Sequence, residues 1–293
     1  MDQAEQLRNI VKSQEPEPVR KNARVITVTS GKGGVGKTSL SVNLAITLSR
    51  MGKRVVLLDA DFGLANIEIM LGIRPQFNLA DLMFRDKDIK DIITYGPENI
   101  GFISGGSGIN EMANLTKDQV IHLIQKMFEL DQIADVIIVD TGAGIGDAVL
   151  EFVAASSEVL LVATPEPTSI TDAYALLKSL NRCSSYHPGK TQVKMVANQV
   201  RGTGDASELF EKIGIVVNKF LNIEVEFLGE IPYDVNVPKA VMKQEPMTIA
   251  TPNTVAAKAV REIVSKLENV ETPKERMGIM QMFANVIKMR NRR

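Results

Sequence analysis

Seven short apolar runs, set apart by longer amphipathic stretches, constrain this 293-residue chain more than any other feature. They read RVITVTS (24–30), RVVLLDAD (54–61), IGFISGG (100–106), DVIIVDT (135–141), EVLLVAT (158–164), VKMVANQV (193–200) and VEFLGEI (225–231). Each is rich in β-branched residues and apolar on both faces, as a strand must be when helices cover both sides of a parallel sheet. Helical stretches lie between them at 36–51, 116–130, 145–156, 168–182 and 205–221. Strands and helices in alternation predict an α/β fold: a doubly wound, mostly parallel sheet flanked by helices, with ligands at the carboxyl ends of the strands. An apolar content of 44% is enough to bury such a core.

Three regions follow from composition. Residues 1–23 hold a weak helical pattern and then SQEPEPVRKNAR, where Pro16 and Pro18 impose an extended linker. Residues 24–270 form the alternating body. Residues 271–293 begin near Pro273 and end in an amphipathic segment, KERMGIMQMFANVIKMRNRR. The formal net charge is -1, so any contact with nucleic acid or a membrane must be local. The single cysteine, Cys183, excludes an internal disulfide and a cysteine-ligated cluster. No apolar run approaches the roughly 18 residues of a membrane span, and the N-terminus lacks the basic-then-apolar order of a signal peptide. The expected location is cytoplasmic.

GKGGVGKT, residues 31–38, fits the phosphate-loop pattern G-x-x-x-x-G-K-[ST] through Gly31, Gly36, Lys37 and Thr38. Its context fits too, with an apolar strand before it and a helical stretch, SLSVNLAITLSRMG, after it. Glycines let backbone N–H groups converge on phosphate oxygens, and the helix start adds its positive dipole end. Residues 31–39 (Gly31, Lys32, Gly33, Gly34, Val35, Gly36, Lys37, Thr38, Ser39) are therefore the expected nucleotide cradle. Lys37 would reach the β- and γ-phosphates and Thr38 would ligate Mg²⁺. Two acidic strand ends complete the site. One run stops on Asp59 and Asp61, which can face the same side two residues apart; another stops on Asp140. Asp140 takes the metal-holding place, one of Asp59 and Asp61 can serve the metal shell and the other a water in line with the γ-phosphorus, and Gly142 and Gly144 leave room for the γ-phosphate.

KGGVGKT with a lysine at its second position, DADFGLAN, DTGAG, TPEPTSITDAYALLK, ANQV and GEIPYD together resemble the deviant Walker A ATPases of the MinD/ParA class. The resemblance spans about residues 24–268. DQAEQLR near the start and DTGAG are most similar to the branch of flagellar-number regulators called FlhG, YlxH or FleN; the MinD proteins usually carry Pro in place of Gly142. The resemblance implies slow, dimerisation-dependent ATP hydrolysis. Two protomers would sandwich two ATP molecules, with Lys32 reaching the partner's phosphates. It also implies that Lys32 and Lys37 stabilise the transferred charge, that Asp61 positions or activates the attacking water, and that Thr38 with Asp59 and Asp140 holds Mg²⁺. Asn198 would pair with the adenine edge and Pro232 would lie against its ring.

At the C-terminus, Ile279, Met280, Met282, Phe283, Val286 and Ile287 fall on one arc of a helical wheel, and the last residues are basic. Such a helix fits either an anionic membrane surface or the protein's own core. The resemblance favours reversible attachment to the inner face of the cell membrane, strengthened when dimerisation pairs two helices. At the N-terminus it implies that Asp2, Gln3, Ala4, Leu7 and Arg8 contact an FlhF-type GTPase of the signal-recognition-particle class, with Gln3 at the hydrolytic water. Flagellar basal-body (C-ring) components are further implied partners, and no specific nucleic acid is expected. Alternatives on the same core are a ParA-type DNA-partitioning ATPase and a MinD-like regulator of the division site.

Overall fold

The computed structural model describes residues 22–61, 66–85, 87–106, 126–127, 129–183, 186–269 and 278–290. Eight strands form one sheet in the order β3-β4-β2-β5-β1-β6-β7-β8. They are β1 (Arg24–Ser30), β2 (Val55–Ala60), β3 (Thr94–Tyr95), β4 (Gly101–Ile103), β5 (Val136–Ala143), β6 (Glu158–Ala163), β7 (Gln192–Val200) and β8 (Val225–Pro232). All described pairings are parallel except β3 with β4. The seven apolar runs supply seven of these strands. β3 was not expected; at two residues it is too short to display a period.

The helices are α1 (Lys37–Arg50), α2 (Asn66–Leu71), α3 (Leu79–Phe84), α4 (Ile89–Ile92), α5 (Asp147–Ala155), α6 (Pro167–Arg182), α7 (Asp205–Phe220), α8 (Asn236–Met242), α9 (Met247–Ala250), α10 (Val255–Asn269) and α11 (Ile279–Arg290). Residues 126–127 and 129–133 are also helical. β1, β2, β5 and β6 are buried over most of their length, which explains why their runs are apolar on both faces. α1 and α10 pack on one face of the sheet with Ile26, Leu57, Ile138 and Leu160. On the other face, Val25, Leu58, Ile137 and Val139 meet Phe152 of α5 and the last helix.

That last helix is where the reading of the C-terminus changes. Ile279, Met282, Phe283 and Val286 are each no more than 2% exposed, and Met280 packs on the same cluster; Ile287 lies where side chains are not described. Phe283 meets Phe152 edge-on, with ring centroids 5.7 Å apart. The arc assigned to lipid is buried against the body in this conformation, and contact with a membrane requires its release. The physical reason is that an apolar arc seeks any dry surface, and a groove beside α5 is nearer than any bilayer. None of the described helices is long and apolar enough to cross a membrane. Asp2, Gln3, Ala4, Leu7 and Arg8, expected to meet the GTPase, lie outside the described residues.

Candidate functional site

β1 delivers the loop 31–36 to the carboxyl edge of the sheet, and α1 leaves from it. Two glycines are required by geometry. A Cβ at Gly31 would lie 2.0 Å from the carbonyl oxygen of Asp172 on α6, so no side chain fits. Gly36 enters α1 at φ 96°, and a Cβ there would meet Asn198 Nδ2 at 2.4 Å. No side chain caps the first turn of α1, leaving its N–H groups for a ligand at the loop. Lys37 is buried, and its Nζ donates to Ser30 Oγ at 3.0 Å. Burial pushes the Lys37 ammonium below its usual range, against the pull of Asp140 and Asp61.

Asp59 and Asp140 are direct partners across neighbouring parallel strands, 2% and 0% exposed. Ser41 Oγ donates to Asp140 Oδ1 at 2.9 Å, and the Thr38 side chain also hydrogen-bonds Asp140. The Oδ2 atoms of both aspartates are buried with no hydrogen-bond partner among the described residues. Such oxygens are costly unless a cation meets them. Burial first, then the charge of Asp140, pushes the Asp59 carboxyl up to about 8. Burial lifts Asp140 to about 6 despite the Thr38 and Ser41 bonds. Oxygen ligands of this kind, beside a threonine hydroxyl, fit Mg²⁺. Asp61 is half-buried. Its N–H donates to Asp59 Oδ1 at 3.1 Å, and its Oδ2 accepts from Asn66 Nδ2 at 3.1 Å. A Cβ at Gly142 would lie 3.3 Å from Asp61 Oδ1, so the glycine keeps space open on that side.

Lys32 has a different setting from Lys37. Its Nζ sits on the exposed rim, 2.7 Å from Glu166 Oε2 and 2.7 Å from Thr168 Oγ1, both of this chain. The hydrogen bond and charge of Lys32 hold the Glu166 carboxyl below its usual range. The second lysine is thus parked at the start of α6 and not inside the phosphate loop.

Asn198 and Pro232 line one cavity of about 130 Å³ together with Gly36, Ser39, Leu40 and Tyr233. The Asn198 amide is already committed here, donating to the Val35 carbonyl at 2.7 Å and accepting from the Gln199 N–H. The outer wall is Tyr233, with the Arg201 guanidinium stacked 4.1 Å from its ring centroid. A cavity contiguous with the loop, lined by apolar side chains and a few polar groups, can take a nucleobase.

A family model described as ParA, NUBPL iron-transfer P-loop NTPase, matches residues 21–268. The chain belongs to the ParA/MinD family of P-loop ATPases. Among curated ParA/MinD relatives, antiactivator FleN of Pseudomonas aeruginosa is 42% identical over 260 residues, covering 89% of this chain and 91% of FleN. Flagellum site-determining protein YlxH of Helicobacter pylori is 30% identical over 306 residues, covering 98% of each chain. Among solved ParA/MinD structures, septum site-determining protein MinD of Pyrococcus horikoshii, complexed with Mg-ADP, superposes at a TM-score of 0.64. It is 24% identical and covers 84% of this chain and 96% of its own.

Ser30, Ser41, Asn66, Glu166 and Thr168 were missed by sequence reasoning. Ser41 carried a usable signal, because it follows Thr38 by one helical turn and must share its face. Glu166 and Thr168 carried none, lying 134 and 136 residues from Lys32.

Proposed function

We propose that this ParA/MinD-family chain is a slow, ATP-dependent dimerising switch that attaches reversibly to an anionic membrane surface and regulates flagellar number and placement. The observation that carries the switch is Lys32, a second cation on the rim of the phosphate loop that is turned outward. Likeness to FleN, named an antiactivator, and to YlxH, named a flagellum site-determining protein, supports the flagellar assignment.

Mg²⁺, held by Thr38 and Asp140 with Asp59 behind them, would neutralise phosphate charge. Lys37 meets the β- and γ-phosphates from within the loop. Asp61, fixed by Asn66 and the open side of Gly142, orients the hydrolytic water. In a dimer, Lys32 leaves Glu166 for the partner's triphosphate, which offers a more concentrated negative charge. No arginine finger is evident in the sequence, and a slow turnover suits a timer. Pairing two α11 helices on one dimer would raise membrane avidity by roughly 10²–10⁴ through effective concentration. Stimulation of an FlhF-type GTPase through Gln3 and contacts with C-ring components rest on the family resemblance. Likeness to MinD fits the division-site alternative as well, and Gly142, standing where MinD proteins usually have Pro, favours the flagellar reading.

Light scattering on a sizing column tests the switch with wild type, Lys32→Ala and Asp61→Ala in ATP or ADP. Wild type should dimerise in ATP, Asp61→Ala should stay dimeric without turnover, and Lys32→Ala should remain monomeric in both. A monomeric wild type in saturating Mg-ATP would remove the proposal.

A further inference from the structure

The seat of α11 holds a buried carboxylate amid apolar packing. Asp131, 4% exposed and among the helical residues 129–133, sends its carboxylate to the first turn of α11. Oδ1 accepts from the Ile279 N–H at 2.9 Å and Oδ2 from the Met280 N–H at 3.3 Å. This is an N-cap supplied by a residue 148 positions away and not by the helix itself. Gly278 is shaped to it: a Cβ there would lie 2.4 Å from Asp131 Oδ2. The backbone of Ala23, the residue before β1, lies beside the same carboxylate and helps to hold its charge. Ala23 is itself 1% exposed and shares an apolar cluster with Ile279, Met282, Phe283 and Val286.

We propose that Asp131 is a shared clasp that fastens α11 and the entry to β1 to the body, so that release of α11 also loosens the backbone at Ala23. A buried carboxylate that loses two N–H donors and is opened to water stops being a fixed anchor for the backbone of Ala23. The reverse holds as well, because a pull on residues before Ala23 weakens the cap of α11 by the same coupling. The clasp also lies on a mechanical route from the nucleotide. The loop 142–146 beside Asp61 leads directly into α5, and Phe152 and Ser156 at the end of α5 touch Phe283 and Met282. Movement of that loop therefore reaches the floor on which the capped helix rests. The consequence for lipid rests on the membrane reading above; the clasp itself does not.

Hydrogen exchange on the full-length chain without nucleotide tests it, comparing wild type, Asp131→Ala, Asp131→Asn and Gly278→Ala. In Asp131→Ala, the amides of residues 279–286 and of Ala23 should exchange about tenfold faster, the loss of one cap. Amides of Ile137–Val139 in the central strand should keep their protection. Asp131→Asn retains an acceptor oxygen and should fall between. Gly278→Ala leaves the carboxylate in place but drives it aside, so it carries the test if Asp131→Ala does not fold. Unchanged exchange at 279–286 in folded Asp131→Ala and Gly278→Ala overturns the clasp. Faster exchange at 279–286 with Ala23 unmoved overturns its sharing. Pelleting with phosphatidylcholine–phosphatidylglycerol vesicles then separates the two claims. Faster exchange with increased pelleting supports both, and faster exchange without pelleting leaves the clasp standing while removing the lipid reading.

Discussion

At Asp59 the protein holds a carboxyl that is 2% exposed, faces a second aspartate, and has one oxygen with no hydrogen-bond partner among the described residues. Its value of about 8, against an ordinary 3.8, makes the site a source of pH-dependent strain. Below about pH 4 the proton is present in both folded and unfolded chains. Between about 4 and 8 the unfolded chain ionises while the native site resists, so native stability falls as pH rises, and above 8 the loss is complete. Asn at this position has no charge to bury. Asp59→Asn should therefore melt higher than wild type in magnesium-free buffer, by about 5 °C at pH 8.5 and by less at pH 5. Its ATP hydrolysis should fall, and added Mg²⁺ should narrow the gap by stabilising wild type alone. A calorimetric series across pH checks the sign; an Asn variant that melts lower at pH 8.5 contradicts it. The two lysines of the loop make a related point. Lys37 is buried against Ser30 and committed to the cradle, whereas Lys32 is exposed on a pair that water screens. Similar residues five positions apart thus occupy one fixed and one exchangeable setting.

Elements are tied together away from the nucleotide by a buried charge network. Arg24, the first residue of β1, gives Nε and Nη2 to Glu158, the first residue of β6, at 2.8 Å each. Lys194 of β7 reaches Glu158 Oε1 at 2.7 Å, and Arg24 also meets Glu268 of α10 at 2.9 Å. Burial alone would raise Glu158, but the bonds and charges of Arg24 and Lys194 outweigh it and keep the carboxyl below its ordinary range. Glu158→Gln leaves two buried cations short of their anion, which costs about 3–5 kcal/mol. The urea midpoint should fall accordingly with an unchanged m-value, as measured by equilibrium unfolding. A loss under about 1 kcal/mol would mean that water reaches the network in solution. The strands that carry these residues were legible because each buried run is β-branched and ends on a chemically distinctive residue. The helices α2, α3 and α4 were not, because four to six residues cannot display a helical period. The network was equally hidden: Arg24 and Glu158 are 134 positions apart, and each reads locally as a polar strand end.

For the whole molecule, a formal charge of -1 sets how it can meet polyanions. A partitioning ATPase must neutralise several DNA phosphates, and its affinity then falls steeply with salt. The ATP-loaded protein should accordingly retain no duplex DNA at physiological salt in a filter-binding assay. Retention that declines with salt at a slope of several would favour the partitioning alternative instead. The sequence by itself determined the sheet and the meeting of the loop 31–36 with Asp59 and Asp140 at its carboxyl edge. A loop contiguous with a strand and a helix fixes that placement, and period-2 and period-3.6 patterns are local properties of a chain. Tertiary structure alone decided which partner each unsatisfied surface takes. Hydrophobic patterning states that the arc of α11 seeks a dry surface but not which one, because burial is non-directional. The groove beside Phe152, the Asp131 cap and the Glu166 rest for Lys32 exist only once residues more than a hundred positions apart are folded together.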